Sequence, residues 1–326
     1  MAEVEFREAI RLALEEELER DQDVVLFGED VAAPGGVFAV TPGLQEKFGD
    51  ERVFDTPISE LAITGAAFGS AVTGMRPVIE IMFGDFMPLA MDGLVNQAAK
   101  YWFLSNEQQS VPLVVRSAIG AGGRFGAIHS QSPVSWFLGV PGLKIAAPSN
   151  PGDARTLMKA AIRDDNPVLF FEHKRLYSVK GELNDDPVEL GGARVVRPGS
   201  DVTIVSAMTA VATSLAAADL LAADGIEAEV IDMRVLRPFD HGTPVESLAK
   251  TNRLVVVEEG PRTGGWSATA LAEISEHALH HVDDIWRITT ADLPIPFSPS
   301  LEDAFLPSAE GIATQVRERL GAAVAS

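Results

Sequence analysis

Two side chains stand out as able to do acid–base chemistry, Glu60 and His129. Glu60 closes the run Asp55-Thr56-Pro57-Ile58-Ser59-Glu60, one residue after a serine able to cap a helix. A carboxyl there either complements the helix dipole, its ordinary task, or serves a site as proton donor and acceptor. His129 follows a strand and a Gly-rich loop. Loops at the C-terminal ends of parallel strands hold the sites of such folds, although a lone loop histidine is commonly a surface residue.

Other chemistries fall away. There is no cysteine, so disulfides, thiolate metal sites and Cys nucleophiles are excluded. No His-Glu-x-x-His occurs, and the adjacent His280 and His281 are expected on different sides of a helix, so zinc is not expected. The loop Gly120-Ala121-Gly122-Gly123-Arg124-Phe125-Gly126 begins like a dinucleotide fingerprint but has Phe125 where the third glycine belongs. Neither a P-loop nor a Gly-x-Ser-x-Gly elbow is present.

Positioning Glu60 and His129 calls for alternating strands and helices. Phe6, Ile10, Leu14 and Leu18 recur every fourth residue, which predicts an amphipathic helix over 5–20. Val24-Val25-Leu26-Phe27 reads as a buried strand closed by Gly28-Glu29-Asp30, and Arg52-Val53-Phe54 as a second. Ser59 caps a helix carrying Leu61, Ile63 and Phe68. Strands at 77–81, 112–116, 143–146 and 168–172 alternate with helices at 87–105 and 151–163. That pattern specifies a mostly parallel sheet covered on both faces.

From 178 to 200 the chain turns polar and turn-rich, with Asn184-Asp185-Asp186-Pro187, Gly191-Gly192 and Pro198-Gly199-Ser200. A second alternating unit follows, from a strand at 202–206 to a C-terminal helix at 308–320. The predicted fold is α/β in two domains, 1–180 and 201–326, joined by a linker at 181–200.

The net charge of −21, from 26 basic and 47 acidic residues, argues against nucleic acid and anionic membranes as partners. The acidity serves solubility or steers in a basic protein partner, for which Asp283-Asp284 is a candidate contact. No run of about 18 apolar residues spans a bilayer. Glu3, Glu5 and Glu8 do not make a secretory signal, so the expected location is the cytoplasm.

Taken in order, several short stretches resemble one family. They are Leu26-Phe27-Gly28-Glu29-Asp30-Val31, Phe54-Asp55-Thr56-Pro57-Ile58-Ser59-Glu60, Asn96-Gln97-Ala98-Ala99-Lys100 and His129-Ser130-Gln131-Ser132. Pro141-Gly142-Leu143-Lys144, Ala161-Ile162-Arg163-Asp164-Asp165-Asn166-Pro167, Asp232-Met233-Arg234 and Pro296-Phe297 complete the series. Together they resemble the beta subunits of thiamine-diphosphate-dependent 2-oxo acid dehydrogenases of the pyruvate, branched-chain and acetoin types, within the transketolase-like family.

The resemblance implies a thiamine pyrimidine-binding domain followed by a transketolase C-terminal-like domain. It makes Glu60 the carboxyl that hydrogen-bonds the pyrimidine ring of thiamine diphosphate. Burial would favour its neutral form and the helix N-terminus its charged form. Phe86 matches the aromatic that packs on the pyrimidine, where a core Phe is the plain alternative. His129 matches the histidine near the substrate and the incoming lipoyl group, and Glu29 a further acid close to Glu60. Leu113, Ala161, Ile162, Asp164 and Asn166 match a potassium site of hard oxygen donors, although Asp-Asn-Pro also reads as an ordinary turn.

Related thiamine enzymes hold Mg²⁺ and diphosphate with Gly-Asp-Gly and a later Asn-Asn, and neither occurs in this sequence. The resemblance therefore implies an alpha subunit that supplies them, an alpha2beta2 heterotetramer, and a lipoyl transacylase core as further partner. The reaction implied is oxidative decarboxylation of a 2-oxo acid with acyl transfer to lipoyl. An acetoin dehydrogenase beta subunit and a non-catalytic docking subunit are the alternatives. Glu60 and His129 speak against the latter.

Overall fold

The computed structural model describes residues 3–184 and 189–324. It divides into two compact units, the first comprising 1–120 and 128–190, the second 121–127 and 191–326.

In the first unit, β1 (Val4–Glu5) leads into α1 (Phe6–Arg20), whose buried Phe6, Ile10, Leu14 and Leu18 are the predicted stripe. Then come β2 (Val24–Gly28), α2 (Leu44–Phe48), β3 (Val53–Asp55), α3 (Glu60–Val72) and β4 (Arg76–Phe83). The helix expected over 87–105 is α4 (Met87–Met91) and α5 (Ala99–Leu104) with a π-helical stretch, Asp92–Ala98, between them. The rest is β5 (Val114–Ile119), α6 (Val134–Leu138), β6 (Lys144–Ala146), α7 (Pro151–Arg163), β7 (Val168–His173) and β8 (Lys180–Gly181).

Six of these strands lie side by side in the order β6-β7-β5-β4-β2-β3, all parallel. Their C-terminal ends therefore form one edge, which gathers Glu29, Glu60, Phe86 and the loop to His129. Helix α1 packs on α7. Glu16 takes Arg155 and Lys159, each at 2.7 Å, and the buried Glu17 takes Arg163 at 2.5 Å. At the centre, fully buried Arg116 on β5 donates to Glu172 on β7 (2.7 and 2.9 Å) and to Glu80 on β4 (2.7 Å).

The second unit contains β9 (Arg194–Arg197), β10 (Val202–Ser206), α8 (Thr209–Ala222), β11 (Ala228–Asp232), β12 (Val235–Arg237), α9 (Gly242–Thr251) and β13 (Arg253–Pro261). It ends with α10 (Trp266–Ala278), β14 (Asp284–Thr290), α11 (Pro299–Phe305) and α12 (Ala309–Val324). Its sheet runs β14-β13-β10-β11-β9, parallel except for β9. Val202, Ile204, Val230, Val255 and Val257 pack with α8 and α12 into a separate core.

Two sequence expectations need correction. The stretch read as a linker contains ordered pairing: Gly181 pairs with Val4, and Arg194–Arg197 form an antiparallel edge strand on β11. Polar turn residues hid both, because an edge strand can be short and charged. Asp185, Asp186 and Pro187 of the predicted turn lie outside the described residues. Also, His280 and His281 do not diverge: they occupy a 3₁₀ turn with ring centroids 4.0 Å apart.

Candidate active site

The site assembles where four neighbouring parallel strands end. β2 finishes at Gly28, and Glu29 follows. Asp30 then takes a left-handed conformation (φ 54°) that turns the chain away. β3 is tied to this exit by two bonds: Thr56 N–H donates to the Gly28 carbonyl (2.9 Å) and Ala32 N–H to Asp55 Oδ1 (2.8 Å). Ser59 caps α3 by accepting from Ala62 N–H at 3.4 Å, so Glu60 is the first residue of the helix.

Glu29 is 9% exposed and Glu60 8%, yet neither carboxylate has a hydrogen-bond partner among the described residues. Burial pushes the Glu29 carboxyl up from its ordinary value, and the negative charges of Glu60 and Asp30 push it further. Two sequestered carboxylates that repel each other and lack donors are costly to keep. Their lone pairs stay open to a donor that reaches this sheet edge.

The neighbouring strand ends supply aromatic surface. After β4, one 3₁₀ turn, Gly84–Phe86, brings up Phe86. The rings of Phe83, Phe86 and His129 form a triangle of edge-to-face contacts. Centroids lie 4.8 Å (Phe83–His129), 5.5 Å (Phe86–His129) and 5.7 Å (Phe83–Phe86) apart. Phe86 and His129 remain half-buried, so each keeps surface for a ligand. Gln131 donates its backbone N–H (3.2 Å) and side-chain amide (2.9 Å) to Asp85 Oδ1, pinning the His129 loop to the same turn. An apolar hollow of about 430 Å³ borders α3 nearby, but neither Glu29 nor Glu60 lines it.

Residues 2–180 match the transketolase pyrimidine-binding domain, and residues 191–312 the transketolase C-terminal domain. The chain is 42% identical to the 2-oxoisovalerate dehydrogenase beta subunit of Bacillus subtilis over 98% of its length and 99% of that protein. It is 43% identical to the mitochondrial pyruvate dehydrogenase E1 beta subunit of Dictyostelium discoideum, over 95% of this chain and 89% of that one. The acetoin:2,6-dichlorophenolindophenol oxidoreductase beta subunit of Bacillus subtilis is 42% identical over 98% and 97% of the two chains. The chain belongs to the 2-oxo acid dehydrogenase beta subunits of the transketolase-like family. A solved split-gene transketolase, an inactive beta4 tetramer, shares the fold with a TM-score of 0.81 over 97% of each chain at 24% identity.

The family implies thiamine diphosphate, and this beta subunit's residues fit it. The two unpartnered carboxylates offer an acceptor to a pyrimidine, and Phe86 offers a ring face. The potassium residues are less open. The Leu113 carbonyl accepts from Val168 N–H (2.8 Å), that of Ala161 from Asp164 N–H (3.3 Å) and that of Ile162 from Arg76 Nε (2.9 Å). Arg76 Nη2 also reaches the Asp164 carbonyl at 2.9 Å. Burial works against the Asp164 charge, but Lys144 and Asn166 bond the carboxylate and hold its pKa below the ordinary value. Arg76 and Lys144 thus already bring positive charge to this turn, which the sequence reading did not anticipate.

Elsewhere, no three His, Asp or Glu side chains converge on a metal-sized space among the described residues. His277 stacks on His241 at 3.9 Å instead. Asp284, half of the acidic pair proposed for docking, is engaged by Arg319 at 3.0 Å. No helix among the described residues is long and apolar enough to cross a membrane. Sequence reasoning missed Phe83 and Lys174 altogether. Lys174 directly follows a buried strand, and the rule that sites gather at such strand ends was the signal available.

Proposed function

We propose that Glu60 and His129 serve the beta half of a 2-oxo acid dehydrogenase, with the other half of each site supplied by an alpha subunit. The observation that carries this is the pair of nearly buried, unpartnered carboxylates, Glu29 and Glu60, at the same sheet edge as the Phe86–His129 rings. When bound, thiamine diphosphate supplies a carbanion at its thiazolium ring. Glu60 holds and returns a proton at the pyrimidine nitrogen, and Glu29 is a further acid near it. Phe86 covers the pyrimidine face and excludes water. His129 presents a proton or hydrogen bond where substrate and the lipoyl group enter.

The diphosphate and Mg²⁺ belong to the alpha subunit, in an alpha2beta2 assembly that acylates a lipoyl transacylase core. Potassium, if it binds at Leu113, Ala161, Ile162, Asp164 and Asn166, uses lone pairs left over from the bonds already made. For the core, Asp283 is the freer member of the acidic pair. A non-catalytic docking role has no observation in its favour.

The test is reconstitution. The chain alone with Mg²⁺ should bind thiamine diphosphate weakly in calorimetry and decarboxylate nothing; with an alpha subunit it should decarboxylate a 2-oxo acid. Micromolar binding by the isolated chain would overturn the shared-site reading. The equal identity of the acetoin and 2-oxoisovalerate relatives favours assaying acetoin beside pyruvate and a branched-chain 2-oxo acid. Turnover of acetoin alone would make it an acetoin dehydrogenase subunit.

A further inference from the structure

The loop that carries His129 closes on itself. Gly120 N–H donates to the Gln131 carbonyl at 3.1 Å, forming a neck, and the last residue of β7 and the one after it secure it. The first, His173, lies against Gly120. Gly120 has φ +89°, and a Cβ there would sit 2.1 Å from His173 Nε2, so the neck needs glycine. The His173 ring is oriented by Arg175 N–H, which donates to its Nδ1 at 3.2 Å.

The second residue is Lys174, which is 8% exposed. Its ammonium donates to the backbone carbonyl of His129 itself. It also stands 5.3 Å from the centroid of the Phe83 ring, whose neighbour in the edge-to-face triangle is His129. One cation therefore holds both the backbone of His129 and the ring that buttresses its imidazole.

A desolvated ammonium must be well paired to be tolerated, and a charge-assisted bond is roughly twice as strong as a neutral one. The contact is thus stronger than the neutral bonds at the neck. It acts at the one loop residue expected to touch substrate.

We propose that Lys174 is a positioning residue that locks the His129 loop at its neck and sets the direction of the imidazole. The proposal rests on the function assigned to His129 above. It does not require Lys174 to touch substrate. A lock of this kind governs turnover more than binding, because misplacing a reacting group by about 1 Å costs on the order of a hundredfold in rate.

The test uses the heterotetramer with thiamine diphosphate and Mg²⁺. Lys174→Met keeps the length, and its thioether still packs on Phe83, but the donor and charge are gone. The expected result is a fall in kcat for lipoyl acylation of about tenfold to a hundredfold, with KM for the 2-oxo acid moving less than about threefold. Lys174→Arg keeps a charged donor and should recover a large part of kcat. Hydrogen exchange of the Gly120 amide, which closes the neck, should be faster in the Met variant than in the parent.

A kcat for Lys174→Met that matches the parent overturns the proposal. So does a joint loss of kcat, KM and Tm that Arg does not relieve, since that describes a fold-wide defect. If the parent complex turns over neither 2-oxo acids nor acetoin, the assigned function fails. The Gly120 exchange rate then still decides on the lock: faster exchange in the Met variant sustains it, and an unchanged rate overturns it.

Discussion

Gly28 and Glu80 pair across β2 and β4 so tightly that a methyl group on Gly28 would sit 2.7 Å from the Glu80 backbone oxygen. The Glu80 side chain is nearly buried and bonds Arg116. Burial pushes the Glu80 carboxyl up toward its neutral form, while the Arg116 charge pulls it back. Tyr177 completes the cluster by donating to Glu172 at 2.9 Å. Arg116→Met would strand two buried carboxylates, and we expect a loss of about 3–5 kcal/mol. Chemical denaturation of the purified chain measures it. A variant as stable as the parent would mean that the cluster adapts by taking up protons.

Glu60→Gln keeps the shape of the side chain and removes the exchangeable proton. In the reconstituted complex, thiamine diphosphate affinity should change little, while single-turnover decarboxylation should slow by about a hundredfold or more. Near-parental rates would return Glu60 to the ordinary task of a helix-start acid.

Glu29 provides a pH signature in the unliganded chain. Its folded pKa is raised, so the fold binds its proton more tightly than the unfolded chain does. This contribution is fully present below the unfolded value of about 4.3 and is lost as pH rises through the folded value. At pH 8 the ionised Glu29 therefore costs stability. Glu29→Gln should raise Tm at pH 8, and the gain should shrink as pH falls toward 4.5. A gain that stays constant across this range would show that the carboxyl's charge is not its source.

Potassium is testable without turnover. If the Leu113, Ala161 and Asp164 region binds it, Tm should rise in potassium chloride over choline chloride at equal ionic strength, by mass action on the folded state. Identical melting in both salts would mean that Arg76 and Lys144 alone close the turn.

Much of this architecture was legible in the residues. The fourfold recurrence of Phe6, Ile10, Leu14 and Leu18 and the apolar runs at 24–27 and 168–172 each specify one element, because each buries a periodic face. Ser59 marked the start of α3 correctly because a cap is a local interaction. What stayed hidden was non-local. The pairing of Gly181 with Val4 spans nearly the whole first unit, and nothing in a polar dipeptide announces it. The π-helical stretch in the 87–105 helix carries no residue that marks it. Within the site, Glu60 and His129 were marked by a helix start and a loop after a strand, their roles together with Glu29 and Phe86 came from the family resemblance, and the strand order brings all four to one edge. Lys174, Phe83 and Asp85 matter through contacts with residues 46 or so positions away, which spacing does not reveal.

The pairing of α1 with α7 has a consequence for synthesis. Arg155 is 139 residues beyond Glu16, and Arg163 is 146 beyond Glu17. At about 5–20 residues per second on the ribosome, the first helix waits roughly 7–30 s for the helix it packs against. Over that interval Phe6, Ile10, Leu14 and Leu18 face water or whatever chaperone covers them. Helix α1 therefore docks well after it is made, and the nascent chain must be shielded there for as long as α7 takes to emerge.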